Sequence, residues 1–276
     1  MEKKYIDIHS HLNLSPLYED REGVILRMQQ NNTVAVVVGV DFDTSVRNIE
    51  LAKEFPGVIV GATIGLHPTD NALEVFDVEK YKLLAQHKEV LAIGECGLDY
   101  YRLPKNEAEI VEIKEKQKNI FKKQIELALE VQKPLMIHAR PSGGTMDAYE
   151  DALNMLETYI LTLTHEQYRL KCNFHFFVGD VAIAARIVKN GWTVSVDGPI
   201  TFTDDYNEMI RSVQLENIMA ETDAPFAAPA PYRGKTGEPW MVSEVYKKIA
   251  LIKEIDEEFC RETLNRNAQE YLGISF

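Results

Sequence analysis

The sequence predicts an α/β fold, a (β/α)8 TIM-type barrel, on three observations: eight short apolar runs, longer segments of helical period between them, and a length of 276 residues. Strands of a parallel sheet are buried on both faces, because helices cover the outer side, and so they read as near-continuous apolar runs. The first run, Tyr5 to His9, is followed by a helical segment from Glu22 to Gln30, and Val34 to Val40 by Ser45 to Phe55. Val58 to Ile64 precedes Val75 to His87, Val90 to Gly94 precedes Lys114 to Val131, and Leu135 to His138 precedes Tyr149 to Leu163. Cys172 to His175 leads to Val181 to Asn190, Thr193 to Val196 to Tyr206 to Ser212, and Ile218 to Glu221 to Ser243 to Lys253, with Glu257 to Tyr271 closing the chain. A doubly wound open sheet shows the same alternation and is the structural competitor. No Gly/Ser linker, low-complexity tract or fixed-period repeat divides the chain, so residues 1–276 are read as a single domain. The Lys-, Glu- and Gln-rich segment Asn106 to Lys123 reads as a solvated helix face rather than an interaction tail.

Composition narrows the setting. A hydrophobic content of 45% supports a substantial core, and the three cysteines, Cys96, Cys172 and Cys260, form neither a disulfide framework nor a zinc ribbon. The N-terminus has no apolar h-region, and no run approaches the roughly 18 apolar residues of a membrane span. A soluble, unexported, cytoplasmic protein with no membrane association is expected. The net charge of −13 disfavours nucleic-acid binding over the whole surface, since such binding relies on cations that neutralise phosphates. An anionic substrate would have to be held locally, and bound divalent cations could supply that charge.

The chemistry begins at Ile6-Asp7-Ile8-His9-Ser10-His11, where the two-residue period of a strand puts His9 and His11 on one side. Such a pair can share a metal ion, and it stands at the strand's C-terminal end, where barrels collect catalytic groups. The placement repeats: Glu95, His138, His175 and Asp223 each follow an apolar run. A buried carboxylate costs several kcal/mol unless it is paired or bound to a cation. Four imidazoles and two carboxylates at corresponding strand ends suit two first-row divalent ions with positions left for water. Cys96, next to Glu95, is expected on the opposite face, against the helical layer.

The chain resembles the TatD-type metal-dependent deoxyribonucleases within the amidohydrolase-like barrels, over nearly its whole length. The resemblance is carried by Ile6-Asp7-Ile8-His9-Ser10-His11-Leu12, Ile64-Gly65-Leu66-His67-Pro68, the run from Ile93 to Tyr101, Lys133-Pro134-Leu135-Met136-Ile137-His138, Phe174-His175-Phe176, and Glu221-Thr222-Asp223-Ala224-Pro225 with Tyr232-Arg233-Gly234-Lys235. It implies that His9, His11 and Asp223 hold one ion, that His138 and His175 hold the other, and that Glu95 bridges them. Departures from the family pattern fall in the substrate-facing loops. Phe176-Phe177-Val178-Gly179 replaces Cys-Phe-Ser-Gly, Ala224-Pro225-Phe226 replaces Ser-Pro-Tyr, and Gly234-Lys235-Thr236-Gly237-Glu238-Pro239 lacks the usual arginine. The metal centre therefore carries over more safely than the nucleic-acid substrate.

Positive charge remains at the rim: Arg102 and Lys105 follow the Glu95 strand, Arg140 follows His138, and Arg233 and Lys235 follow Asp223. His67 is expected to face substrate, because six other ligands already complete two sites. Pro141-Ser142-Gly143-Gly144-Thr145 could offer N–H groups to a phosphate, but a plain loop is the simpler reading. Asn31-Asn32-Thr33 matches a glycosylation acceptor that is irrelevant without export.

The expected activity is two-metal hydrolysis: two zinc, manganese or magnesium ions about 3.5–4 Å apart activate a water, and Asp223 takes its proton and returns it to the leaving oxygen. By resemblance the substrate is DNA, cut at a phosphodiester bond, with 3′-5′ exonuclease action as one form. The rival is an amide, ester or lactone hydrolase, including aminoacyl-tRNA deacylation, since the same centre polarises carbonyls. No obligate protein partner is inferred.

Overall fold

The computed structural model describes residues 4–69, 74–162 and 169–275. Strands and helices alternate as β1 (Tyr5–Ser10), α1 (Arg21–Gln30), β2 (Thr33–Val38), α2 (Phe42–Glu54), β3 (Ile59–Ile64), α3 (Val78–Leu84), β4 (Val90–Asp99) and α4 (Glu107–Val131). The second half runs β5 (Leu135–Arg140), α5 (Asp147–Thr162), β6 (Cys172–Phe174), α6 (Val181–Lys189), β7 (Thr193–Val196), α7 (Asn207–Ser212), β8 (Ile218–Ala220), α8 (Val242–Lys253) and α9 (Glu257–Leu272). Each strand pairs in parallel with the next, in sequence order from β1 to β8.

The sheet meets itself at the junction of β8 and β1. Asp223 N–H donates to His9 O at 3.0 Å, His11 N–H donates to Ala224 O at 2.6 Å, and Ser10 bridges Ala224 in parallel. The buried Asp7 carboxylate reinforces the seam, accepting the Thr222 N–H at 3.0 Å and the Thr222 hydroxyl at 2.6 Å. An open doubly wound sheet is thereby excluded, and the (β/α)8 barrel stands.

Helix starts differ from the apolar periodicity where a capping side chain sets them. α2 begins at Phe42 rather than Ser45, because Asp41 accepts the Thr44 N–H at 2.7 Å while the Thr44 hydroxyl accepts the Asp41 N–H at 3.0 Å. α3 is shorter than the spacing suggests and starts after its cap, Asp77. α4 starts seven residues before the expected Lys114, where Asn106 Oδ1 accepts from Ala108 and Glu109. Each such cap contributes about 0.5–2 kcal/mol. Leu163, the expected end of α5, lies outside the described residues.

Most core side chains fill the space between strands and helices, with Cys96 among them as expected. A smaller cluster joins Ile6, Ile8, Val34, Val36, Met136 and Met219 to Ala268, Tyr271 and Leu272 of α9. α9 lies over the starts of the strands: Tyr271 donates to Leu135 O at 2.7 Å, Asn267 to Ile218 O at 2.8 Å, and Asn265 to Lys4 O at 2.8 Å. That end is sealed, leaving the C-terminal end for function. The charged outer side of α4 is solvated, but its inner side carries two buried glutamines that fix the end of β4 and the segment after β3 at that functional end. Gln117 exchanges hydrogen bonds with the Asp99 backbone at 2.8 and 2.9 Å, and Gln124 does the same with Leu66 at 2.9 Å. Among the described residues no helix is long and apolar enough to cross a membrane.

Candidate metal centre

The local chain path explains how Glu95 reaches the centre of the barrel. The β4–β5 register breaks between Ile93 and Cys96, a bulge over Gly94 and Glu95 that re-aims the Glu95 side chain. Gly94 and Gly97 flank it at φ +149° and +138°, and a Cβ at either would collide with the β5 backbone, at Met136 O or His138 O. Only glycine lets β4 lie this close to β5. Asp223 and Phe176, at the ends of β8 and β6, also sit in the left-handed region, at φ +51° and +44°.

The two oxygens of Glu95 face different pairs of imidazoles. Oε2 lies 3.3 Å from His9 Nε2 and 3.5 Å from His11 Nε2, which are 3.2 Å apart. Asp223 Oδ1 completes this group, 3.2 Å from His11 Nε2 and 3.6 Å from His9 Nε2. Oε1 lies 2.9 Å from His138 Nδ1 and 2.7 Å from His175 Nε2, themselves 3.3 Å apart. His67, the residue expected to face substrate, also approaches Oε1, with Nε2 at 3.4 Å. The six expected ligands thus converge.

These donor sets fit divalent ions. Zinc bonds of about 2.0–2.1 Å in a tetrahedron put neighbouring donor atoms about 3.3–3.4 Å apart, close to most of the separations here. The outward nitrogens point the same way: His11 Nδ1 meets Val38 O at 3.0 Å and His138 Nε2 meets Asp99 Oδ2 at 3.1 Å. A proton on each of those nitrogens leaves the inward nitrogen bare, and a bare nitrogen against a carboxylate oxygen repels unless a cation stands between them. The His175 ring is backed by Glu221 Oε1 at 3.3 Å, within ion-pair range but poorly aligned for a hydrogen bond.

Electrostatics follow from burial and this crowding. With no ion bound, burial would raise the Glu95 carboxyl, but positive charge on the imidazoles of His175, His67 and His9 and the His138 contact outweigh it and hold the group well below its ordinary range. Asp223 is also lowered, with burial opposed by His11. Asp197, at the end of β7, is pushed well up by burial and by Glu221 and Asp223, and its Oδ2 has no hydrogen-bond partner.

Three supporting carboxylates, Asp7, Asp99 and Glu221, were not singled out by sequence reasoning. Glu221 accepts the Phe176 N–H and the Ser195 hydroxyl, both at 2.6 Å, and Asn173 donates to that hydroxyl at 2.7 Å. The available signal was an acid within or just after an apolar run, which must be paired wherever it is buried.

The rim residues separate in character. Arg102, Lys105, Arg140, Arg233 and Lys235 are all exposed. Arg140 lies over the Tyr101 ring, 3.9 Å from its centroid, and Arg233 over Phe202 at 4.2 Å. The Pro141–Thr145 loop is not a phosphate cradle. Asp147 fills it, accepting the Ser142 N–H at 2.9 Å and hydroxyl at 2.6 Å, and the Thr145 hydroxyl at 2.9 Å.

A parallel eight-stranded barrel with histidines and acids gathered at its C-terminal end defines a class, the metal-dependent hydrolases of this fold. The sequence pattern of the TatD related DNase family matches residues 6–273, and the chain belongs to that family. It is 34% identical over 274 residues to an uncharacterized metal-dependent hydrolase of Bacillus subtilis, YabD, covering 98% of this chain and 99% of the relative. An uncharacterized metal-dependent hydrolase of Methanocaldococcus jannaschii is 29% identical, with coverage of 97% and 96%. The crystal structure of the TatD homologue YJJV from Escherichia coli superposes with a TM-score of 0.85 at 21% identity, over 100% of both chains. The protein is a metal-dependent hydrolase of the TatD family.

Proposed function

We propose that the chain hydrolyses phosphodiester bonds, with DNA as substrate, using two divalent ions. His9, His11 and Asp223 would hold one ion and His138 and His175 the other, with Glu95 shared between the two groups. The observation that carries this reading is the division of Glu95, whose Oε2 meets His9 and His11 while its Oε1 meets His138 and His175, with His67 beside them. When bound, such ions supply Lewis acidity toward the scissile group and lower the pKa of water toward neutrality. Asp223, kept ionised and retaining slight exposure, takes the proton of the attacking water and returns it to the leaving oxygen. His67 and the cations Arg102, Arg140, Arg233 and Lys235 steady the phosphate, supplying local positive charge in an acidic protein. The three free, buried cysteines suit a reducing compartment such as the cytoplasm.

The test is metal analysis followed by assay of reconstituted protein on DNA, RNA, simple phosphodiesters, aminoacyl-tRNA and small lactones. Up to two ions per chain, activity lost on chelation, and preference for a phosphodiester are expected. Turnover of only a lactone or an aminoacyl ester would move the reading to carbonyl hydrolysis, and absence of metal after reconstitution with zinc, manganese or magnesium would end it.

A further inference from the structure

The rim of the metal centre carries aromatic surface that the ligand set does not use. Tyr101 is 51% exposed, yet it is tied to the centre: its N–H donates to Asp99 Oδ1 at 3.0 Å, and the other oxygen of Asp99 faces His138. Arg140 covers its ring. Phe226 is 53% exposed, three residues after Asp223, to whose carbonyl its N–H donates at 2.9 Å. Its ring centroid lies 6.1 Å from that of His11. β4 and β8 are four strands apart in an eight-stranded ring, so Tyr101 and Phe226 follow strands on opposite sides of the barrel mouth.

Exposure of a large ring is unremarkable by itself; Phe259 on α9 is 52% exposed at the sealed end. What sets Tyr101 and Phe226 apart is attachment to ligand-bearing strand ends on both flanks of one centre, with an arginine already stacked on Tyr101. A guanidinium on an aromatic face is a planar, cationic stack that a flat heterocycle can extend while its phosphate meets positive charge.

We propose that Tyr101 with Arg140, and Phe226 opposite, stack the nucleobases on either side of the scissile phosphate, making the enzyme selective for base-bearing diesters over base-free ones. This rests on the phosphodiesterase reading for the chemistry, but base stacking is measurable without turnover. The probe is a dinucleotide phosphodiester carrying 2-aminopurine, compared with the same diester bearing abasic sugars. Binding to metal-loaded protein should quench 2-aminopurine fluorescence. Tyr101→Ala and Phe226→Ala should each weaken the base-bearing diester by between about 5- and 150-fold, while leaving the abasic diester nearly unchanged. Tyr101→Phe should retain the binding, which a role through the hydroxyl would not allow. Equal affinity of parent protein for both diesters, or equal weakening of both by the alanine variants, overturns the proposal. Cleavage of both diesters at equal rate and affinity would reject stacking while leaving phosphodiester hydrolysis standing. Quenching that Tyr101→Ala abolishes, in a protein that cleaves neither diester, would keep stacking and reject the chemistry.

Discussion

His138 is held between two carboxylates, with Nε2 3.1 Å from Asp99 Oδ2 and Nδ1 2.9 Å from Glu95 Oε1. Asp99 is lowered from its ordinary range, burial being outweighed by the His138 hydrogen bond, so it stays an acceptor at neutral pH. It thereby fixes the proton on Nε2 and frees Nδ1 for an ion. Asp99→Asn should weaken binding of one of two ions about 10–100-fold, the usual effect of losing such a partner, and leave the other nearly unaffected. Competition with a chromophoric chelator measures both affinities, and two unchanged constants would refute the role.

Glu95→Gln tests the bridge. A neutral amide cannot offer two anionic oxygens, so occupancy of both ions should fall together, whereas His138→Ala should mainly empty one site. Metal analysis after dialysis decides, and retention of both ions by Glu95→Gln at unchanged affinity rules the bridge out.

The ligand positions were legible because each follows an apolar run, and His9 with His11 share a face by strand period alone, although β4 runs past its expected end at Gly94 to Asp99 and so holds Glu95 within it. How Glu95 divides its oxygens was not, since spacing carries no information about which imidazoles meet across the barrel. Nor was the bulge at Gly94 to Gly97 readable, because it depends on the approach of β5, about 40 residues away. The start of α4 was misplaced because its first turns are exposed and carry little apolar periodicity, leaving Asn106 as the only local signal. Asp7 and Glu221 look like ordinary acids until the barrel closes and buries them.

The seam between the first and last strands gives a stability test. Thr222→Val keeps shape but removes the hydroxyl bound to Asp7 Oδ2, leaving a buried carboxylate oxygen without that donor. Such a loss costs about 1–3 kcal/mol. For a chain of this size that is a fall in Tm of about 2–12 °C. Calorimetry at neutral pH on matched metal-loaded samples measures it, and an unchanged Tm would mean the seam is held by the backbone bonds alone.

The cysteines should be silent toward thiol reagents in the native state. Burial raises Cys96 and Cys172 well above the ordinary thiol range and pushes Cys260 up to about 12. At pH 8 all three therefore remain protonated as well as inaccessible. A chromogenic disulfide reagent should titrate none of them in native protein and all three after denaturation, and rapid native labelling would contradict the packing described.

Asp223 separates chemistry from binding, because its Oδ1 touches the His9 and His11 nitrogens while the side chain remains 13% exposed at the open end of the barrel. Asp223→Asn keeps the shape and loses the base. A positioned general base contributes about 10²–10⁴-fold, so turnover should drop by that much or more, with substrate affinity changed far less while the ions remain bound. Because the same carboxylate is a proposed ligand, metal content must be measured on the assayed sample, and the comparison made at saturating metal. A variant that holds its ions and turns over its best substrate within about threefold of the parent would fall well short of a general-base contribution. Asp223 would then be a ligand only, and the proton would have to leave through another group at the rim, with His67, 3.4 Å from Glu95 Oε1, the next to substitute.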